Sequence, residues 1–150
     1  MTADLLDARQ KLSVGGFTCV LSKDGQIYTS TLRGVAPLLA WLDSGEYLQG
    51  FSAADKVVGK AAAFLYCLLG IKEVYAPVMS KSALEVLTAR GIAAYYDTLA
   101  EGIINRRKTG PCPMESATRD IQDPDQALQA IRQTLEAMQK AHGHFPLCGV

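Results

Sequence analysis

What this sequence lacks narrows its function before any motif is read. There is no excess of charge: 15 Lys and Arg balance 15 Asp and Glu. Nucleic acids and anionic membranes are bound by clustered cations, and the one basic cluster is Arg106-Arg107-Lys108; neither partner is expected. There is no long apolar run. The longest, residues 61–70, is roughly half of what crosses a bilayer. Histidine is scarce, with only His142 and His144 near the carboxyl end. A Ser-His or Cys-His nucleophile pair would therefore have to recruit the tail, and His142, His144 and Cys148 read as a solvated terminus rather than a metal site. The four cysteines, Cys19, Cys67, Cys112 and Cys148, contain no C-x-x-C pair. With no secretory leader before them they read as reduced thiols of a cytoplasmic protein rather than a disulfide framework.

Two nucleotide signatures are also missing. Gly59-Lys60 falls short of a phosphate loop, because Ala54 stands where the first glycine belongs and Ala61 where Ser or Thr must follow. No G-x-G-x-x-G follows a strand, which removes a dinucleotide site. No cofactor is expected.

What is present is 150 residues, 49% of them hydrophobic, enough for a single domain over residues 1–150 with a core that needs neither disulfide nor metal. Residues 4–13 carry leucines at helical spacing and end at Gly15-Gly16. Two strand-like runs, 17–21 and 26–30, flank Lys23-Asp24-Gly25, a tight-turn signal for an antiparallel hairpin. A short helix over 37–43 has its proline in the first turn. Ser52-Ala53-Ala54-Asp55 has capping-box spacing and predicts a buried helix running to Gly70. A strand over 74–79, weakened by Pro77, a helix over 82–90 and a strand over 92–96 then predict a parallel βαβ unit. A short helix over 99–104, a polar loop over 105–113 and a helical turn over 114–120 complete the middle of the chain. The last helix, about 123–141, places Leu128, Ile131, Leu135 and Met138 on one face, a packing face too short for a convincing coiled-coil seam.

Two segments carry candidate chemistry. Asp55, Lys56 and Lys60 fall in the first turns of the expected buried helix, with Lys56 and Lys60 four apart on one face. Helix N-termini favour anions, and Gly59 there implies a close approach by something. The second segment runs from Asn105 to Glu115 and holds Arg106, Cys112 and Glu115. A thiol at a helix start beside Arg or Lys is stabilised as thiolate, and Glu115 offers a proton carrier.

The element order, together with Asp55-Lys-Val-Val-Gly-Lys-Ala-Ala-Ala63 and Cys112-Pro-Met-Glu115, resembles the uncharacterised bacterial family called domain of unknown function 1893 over about residues 5–119. That resemblance implies a cytidine-deaminase-like fold: an α/β three-layer arrangement in which the N-terminal hairpin and the parallel unit form one sheet with helices on both faces. Zinc deaminases carry H-x-E or C-x-E and P-C-x-x-C at two helix starts. Here those positions hold Asp55-Lys56-Val57 and Ser80-Lys81-Ser82-Ala83, so zinc-dependent deamination is not expected.

The expected function is binding of a small anionic, nucleotide-like metabolite at the start of the buried helix, with metal-independent chemistry open. Lys60, Cys112, Glu115 and Asp55 are the candidate catalytic residues, and Lys56, Gly59, Ser80, Asn105 and Arg106 the candidate ligand-binding ones. The alternative is a non-catalytic assembly or regulatory module that kept the fold, self-associating as a homo-oligomer through the apolar face of the last helix.

Overall fold

The computed structural model describes residues 1–103 and 112–142, with side chains described as far as residue 139. Helix α1 (Ala3–Val14) starts at Thr2, whose hydroxyl accepts from the Leu5 N–H. Strands β1 (Cys19–Lys23) and β2 (Gln26–Ser30) form the expected hairpin. Asp24 at φ 49° and Gly25 at φ 86° fill a two-residue loop whose left-handed backbone matches the strand twist. Helix α2 (Ala36–Ser44) has its proline in the first turn.

The next segment departs from expectation. Residues 52–58 form no helix turn: they are β3 (Ser52–Asp55) and β4 (Val57–Val58), and the buried helix α3 begins only at Lys60 (Lys60–Leu69). The reason is position in the sheet. Strand β3 lies between β1 (antiparallel) and β5 (Glu73–Ser80, parallel), and all four of its residues are buried. A central strand covered on both faces needs small side chains, which Ser52, Ala53 and Ala54 supply, and that tertiary demand overrides their helical reading.

Both β3 and β4 pair with β5 in parallel and in one continuous register, Ser52 opposite Glu73 and Val57 opposite Val78. Lys56 therefore falls opposite Pro77. Proline has no N–H to give the ladder, and the strand is interrupted there; the Lys56 N–H turns instead to the Thr18 carbonyl at 3.2 Å.

Helix α4 (Lys81–Ala89) returns the chain to β6 (Ala93–Ala100), which pairs in parallel along the other side of β5 as far as Ser80 opposite Ala100. This pairing extends the strand through residues 99 and 100, where the sequence suggested a helix. Helices α5 (Pro113–Thr118) and α6 (Pro124–His142) follow.

The class is the expected one: an α/β sheet of an antiparallel hairpin joined to parallel strands, with helices on both faces. The two faces are unequally covered. On one, α1 alone seats Leu5, Ala8 and Leu12 against Val20, Ala54 and Tyr75. On the other, α3 is the hub, packed by α2, α4, α5 and α6. The apolar face of α6 is part of this core, with Ala127 and Ile131 fully buried. Of the face proposed for self-association, Ile131 and Met138 are buried and Leu128 and Leu135 partly buried against the helix's own chain. Among the described residues, no helix is long and apolar enough to cross a membrane.

Candidate functional site

Helix α3 has an unusual start. Its N-cap residue is Gly59, which has no side chain to offer, and no cap residue bonds the first turn. The Glu115 carboxylate does so from outside: its Oε1 accepts the Lys60 N–H. An anion at the positive end of a helix is favourable, and here the chain supplies its own. The close approach implied at Gly59 is this contact. A Cβ on Gly59 would overlap the Glu115 carboxylate and meet Ile103 Cγ1 at 3.1 Å. Burial pushes the Glu115 carboxyl up from its ordinary value, partly offset by the Lys60 N–H and charge and by the Ile103 N–H.

Lys60 does not reach into open space. Its ammonium donates to the Arg119 carbonyl at 2.7 Å, at the carboxyl end of α5, and lies 5.8 Å from the centre of the Phe64 ring. Only 8% exposed as a residue, Lys60 ties α3 to α5.

Asp55 and Lys56 are not beside Lys60 on a helix face; the break between β3 and β4 sends them to different places. Asp55 is buried on the α3 side of the sheet, where its Oδ2 accepts from the Tyr66 hydroxyl at 2.7 Å. The Cys19 sulfur lies 3.3 Å from the same hydroxyl. Burial raises the Asp55 carboxyl to about 7, against the lowering effect of the Tyr66 hydroxyl and of the Val57 and Lys56 N–H groups. Burial likewise pushes the Tyr66 phenol and the Cys19 thiol well above their ordinary values, with the Asp55 charge as the next cause. Lys56 lines a cavity on the α1 side.

Ser80 is fully buried and acts as the N-cap of α4, its Oγ accepting the Ala83 N–H at 3.1 Å. The neighbouring hydroxyl, Ser82, is the one that faces a cleft. Cys112 is also buried, as the N-cap of α5, and its sulfur is in a disulfide. The reduced thiol expected there is therefore replaced, and in this state no thiolate can form on Cys112. Asn105 and Arg106 lie outside the described residues, as do His144 and Cys148; the side chain of His142 is likewise not described.

Two cavities flank Glu115. A small one of about 30 Å³ lies towards Val35, Val57 and Met114 and has no room for a metabolite. The other, about 260 Å³, opens between α3, α4 and α5 at the carboxyl end of the parallel strands and is lined by Lys60, Ser82, Glu101, Ile103, Glu115 and Arg119. That is the edge at which open α/β sheets take ligands. Its size, just below the ~300 Å³ at which ligand pockets begin, suits a phosphate-sized or small polar group better than a whole nucleotide.

Among the members of these clusters that sequence reasoning missed are Tyr66, Ser82 and Arg119. Tyr66 had a signal, being the one phenol in the apolar run Ala61-Ala-Ala-Phe-Leu-Tyr-Cys-Leu-Leu69, where its hydroxyl must find a partner. Ser82 and Arg119 had none.

Comparison with known proteins decides the family. The model of a family described as TM1506, domain of unknown function (DUF1893), matches residues 7–135. The chain belongs to the DUF1893 family. A crystal structure of a DUF1893 family protein (TM1506) from Thermotoga maritima superposes with a TM-score of 0.78 at 25% identity, over 91% of this chain and 92% of that one. Weaker likeness extends to a dCMP deaminase from the cyanophage S-TIM5, with a TM-score of 0.46 at 16% identity, over 64% of this chain and 99% of that one. No curated protein matches this chain.

A zinc site of the kind expected from the resembled fold finds no fitting donors among the described residues of this DUF1893 chain. The starts of α3 and α4 present Gly59-Lys60 and Ser80-Lys81-Ser82, and among the described residues no three His, Cys, Asp or Glu side chains gather as a metal site.

Proposed function

We propose that this DUF1893 protein binds a small anionic metabolite in the cleft between α3, α4 and α5, with the anionic group at the amino end of α4 beside Ser82. One observation carries the reading: Lys60, Ser82, Glu115 and Arg119 line a single cleft at the carboxyl edge of the parallel strands. The start of α3 is a poor seat for the ligand, because Glu115 already accepts its first N–H. The start of α4 is capped from within by Ser80 but has no acidic residue in its first turn, and Glu101, which also lines the cleft, is paired with Lys81, so the helix start keeps donors for an anion. A nucleotide-like ligand would place only its charged group in the cleft and leave the remainder outside. Glu115, with its carboxyl raised by burial, is the group best placed to carry a proton if the bound molecule reacts. The buried pair Asp55 and Tyr66 lines no part of this cleft and supports the fold.

The test is thermal unfolding of the wild type and Ser82→Asp in the presence of inorganic phosphate, nucleoside monophosphates and sugar phosphates. A ligand at 100 times its dissociation constant adds about 2.7 kcal/mol. An aspartate in the first turn of α4 stabilises that helix while repelling an anion. The reading expects S82D to be at least as stable as the wild type and to lose the ligand-induced shift. An equal shift in S82D, or no shift with any phosphate compound in the wild type, contradicts it.

A further inference from the structure

We propose that the opposite face of the sheet carries a second binding site, for the phosphate group of a small organic molecule, held by Lys56 and Arg9 where the strand ladder breaks at Pro77. Helix α1 covers only part of its face of the sheet. Beside its carboxyl half lies a cavity of about 620 Å³, inside the range of metabolite pockets and more than twice the cleft between α3, α4 and α5.

The cavity exists because of the ladder. Lys56, Pro77 and Asp97 lie in one row across three strands, given the registers that place Val57 opposite Val78 and Val78 opposite Thr98. Pro77 breaks the pairing on that row, and all three residues line the cavity. Tyr75, Leu12 and Val57 give it an apolar floor, and the two cations stand at its wall. Arg9 lies 4.6 Å above the Tyr75 ring, an arrangement that holds the guanidinium in place. Its nearest carboxylate, Asp97, is 4.0 Å away and is engaged by the Tyr75 hydroxyl at 2.6 Å. Lys56 is half-buried, and its ammonium makes no hydrogen bond or ion pair among the described residues.

A cation partly removed from water ordinarily has a partner. Arg9 offers a planar fork of donors fixed by stacking, Lys56 a compact charge without a protein anion, and together they match the oxygens of a phosphate. Asp97 leaves the site with a net charge of one positive unit, which discriminates against a bare divalent cation and favours an anion. The apolar floor favours a phosphate that carries an organic group over the free ion.

The experiment is isothermal titration of the full chain with inorganic phosphate and with phenyl phosphate, in wild type, Lys56→Met and Arg9→Gln, each checked for an unchanged far-ultraviolet circular dichroism spectrum. Both side chains lie at the surface edge of the cavity, and methionine keeps the apolar stem of Lys56. The proposal expects phenyl phosphate to bind more tightly than phosphate, and K56M and R9Q each to weaken it about tenfold, as loss of one charge-assisted hydrogen bond predicts. Repeating the titration in S82D separates the two sites, because binding here persists in that variant. Unchanged affinity in both K56M and R9Q, or no binding of either compound that survives in S82D, overturns the proposal.

Discussion

The Tyr66 hydroxyl donates to Asp55 at 2.7 Å and lies 3.3 Å from the Cys19 sulfur, which locks three polar side chains from β1, β3 and α3 together inside the core. Burial raises the Asp55 carboxyl from 3.8 to about 7, and this fixes the sign of a pH effect. A group whose pKa is higher in the folded state contributes stability that is complete below its unfolded value and is lost as pH rises through the folded value. The protein is thus expected to lose stability between about pH 4 and pH 7, by up to roughly 4 kcal/mol on the 1.36 kcal/mol per unit scale. Asp55→Asn has no charge to bury. Denaturant unfolding at several pH values should show a smaller decline in Asp55→Asn than in the wild type; equal slopes would remove Asp55 as the source.

Glu115 and Gly59 are expected to be energetically coupled. Glu115→Ala strips the Lys60 N–H of its acceptor and should cost about 1–3 kcal/mol, whereas Glu115→Gln keeps an acceptor oxygen and should cost much less at neutral pH. Gly59→Ala forces a Cβ against the same carboxylate and should cost about 1–3 kcal/mol by overpacking. Because the clash partner is gone in Glu115→Ala, the double variant should be less destabilised than the sum of the singles. Strict additivity in a double-mutant cycle would deny the contact.

Lys60 is expected to act as a brace rather than a ligand group. Lys60→Met retains the stem against Phe64 but leaves the Arg119 carbonyl without its partner. The expected result is a loss of about 1 kcal/mol in unfolding free energy with little change in phosphate affinity. A large drop in affinity at unchanged stability would return Lys60 to the site.

The last helix should behave as core. Ile131→Ala removes a fully buried side chain and should cost about 2–5 kcal/mol. Size-exclusion chromatography with light scattering should give the same molar mass for Ile131→Ala as for the wild type. A change in oligomeric state at unaltered stability would point instead to a surface role.

Much of this fold is legible in the sequence because its signals are local. Asp24-Gly25 between two β-branched runs specifies a hairpin whose second strand is found at the expected residues, Gln26–Ser30. The strand, helix, strand order after Gly70 specifies the parallel unit. Residues 52–55 are misread because Ala and Ser carry no strand propensity of their own; only the neighbours β1 and β5 demand small side chains there. That single error moves the site, since it places Asp55, Lys56 and Lys60 on one helix when the chain sends them into the core, to the opposite face and onto α5. The Gly59 and Glu115 signals are each visible, but Lys60 and Glu115 are 55 residues apart, and no local pattern connects them.

The most direct test of the account is a nitrogen-15 amide-shift titration with inorganic phosphate, because it reports which helix start receives the anion. The account predicts saturable shifts at Ser82 and Ala83 in the first turn of α4 and at Arg119, with Ala61 and Ala62 in the first turn of α3 unmoved behind Glu115. Shifts at Ala61 and Ala62 without any at Ser82 and Ala83 would contradict it.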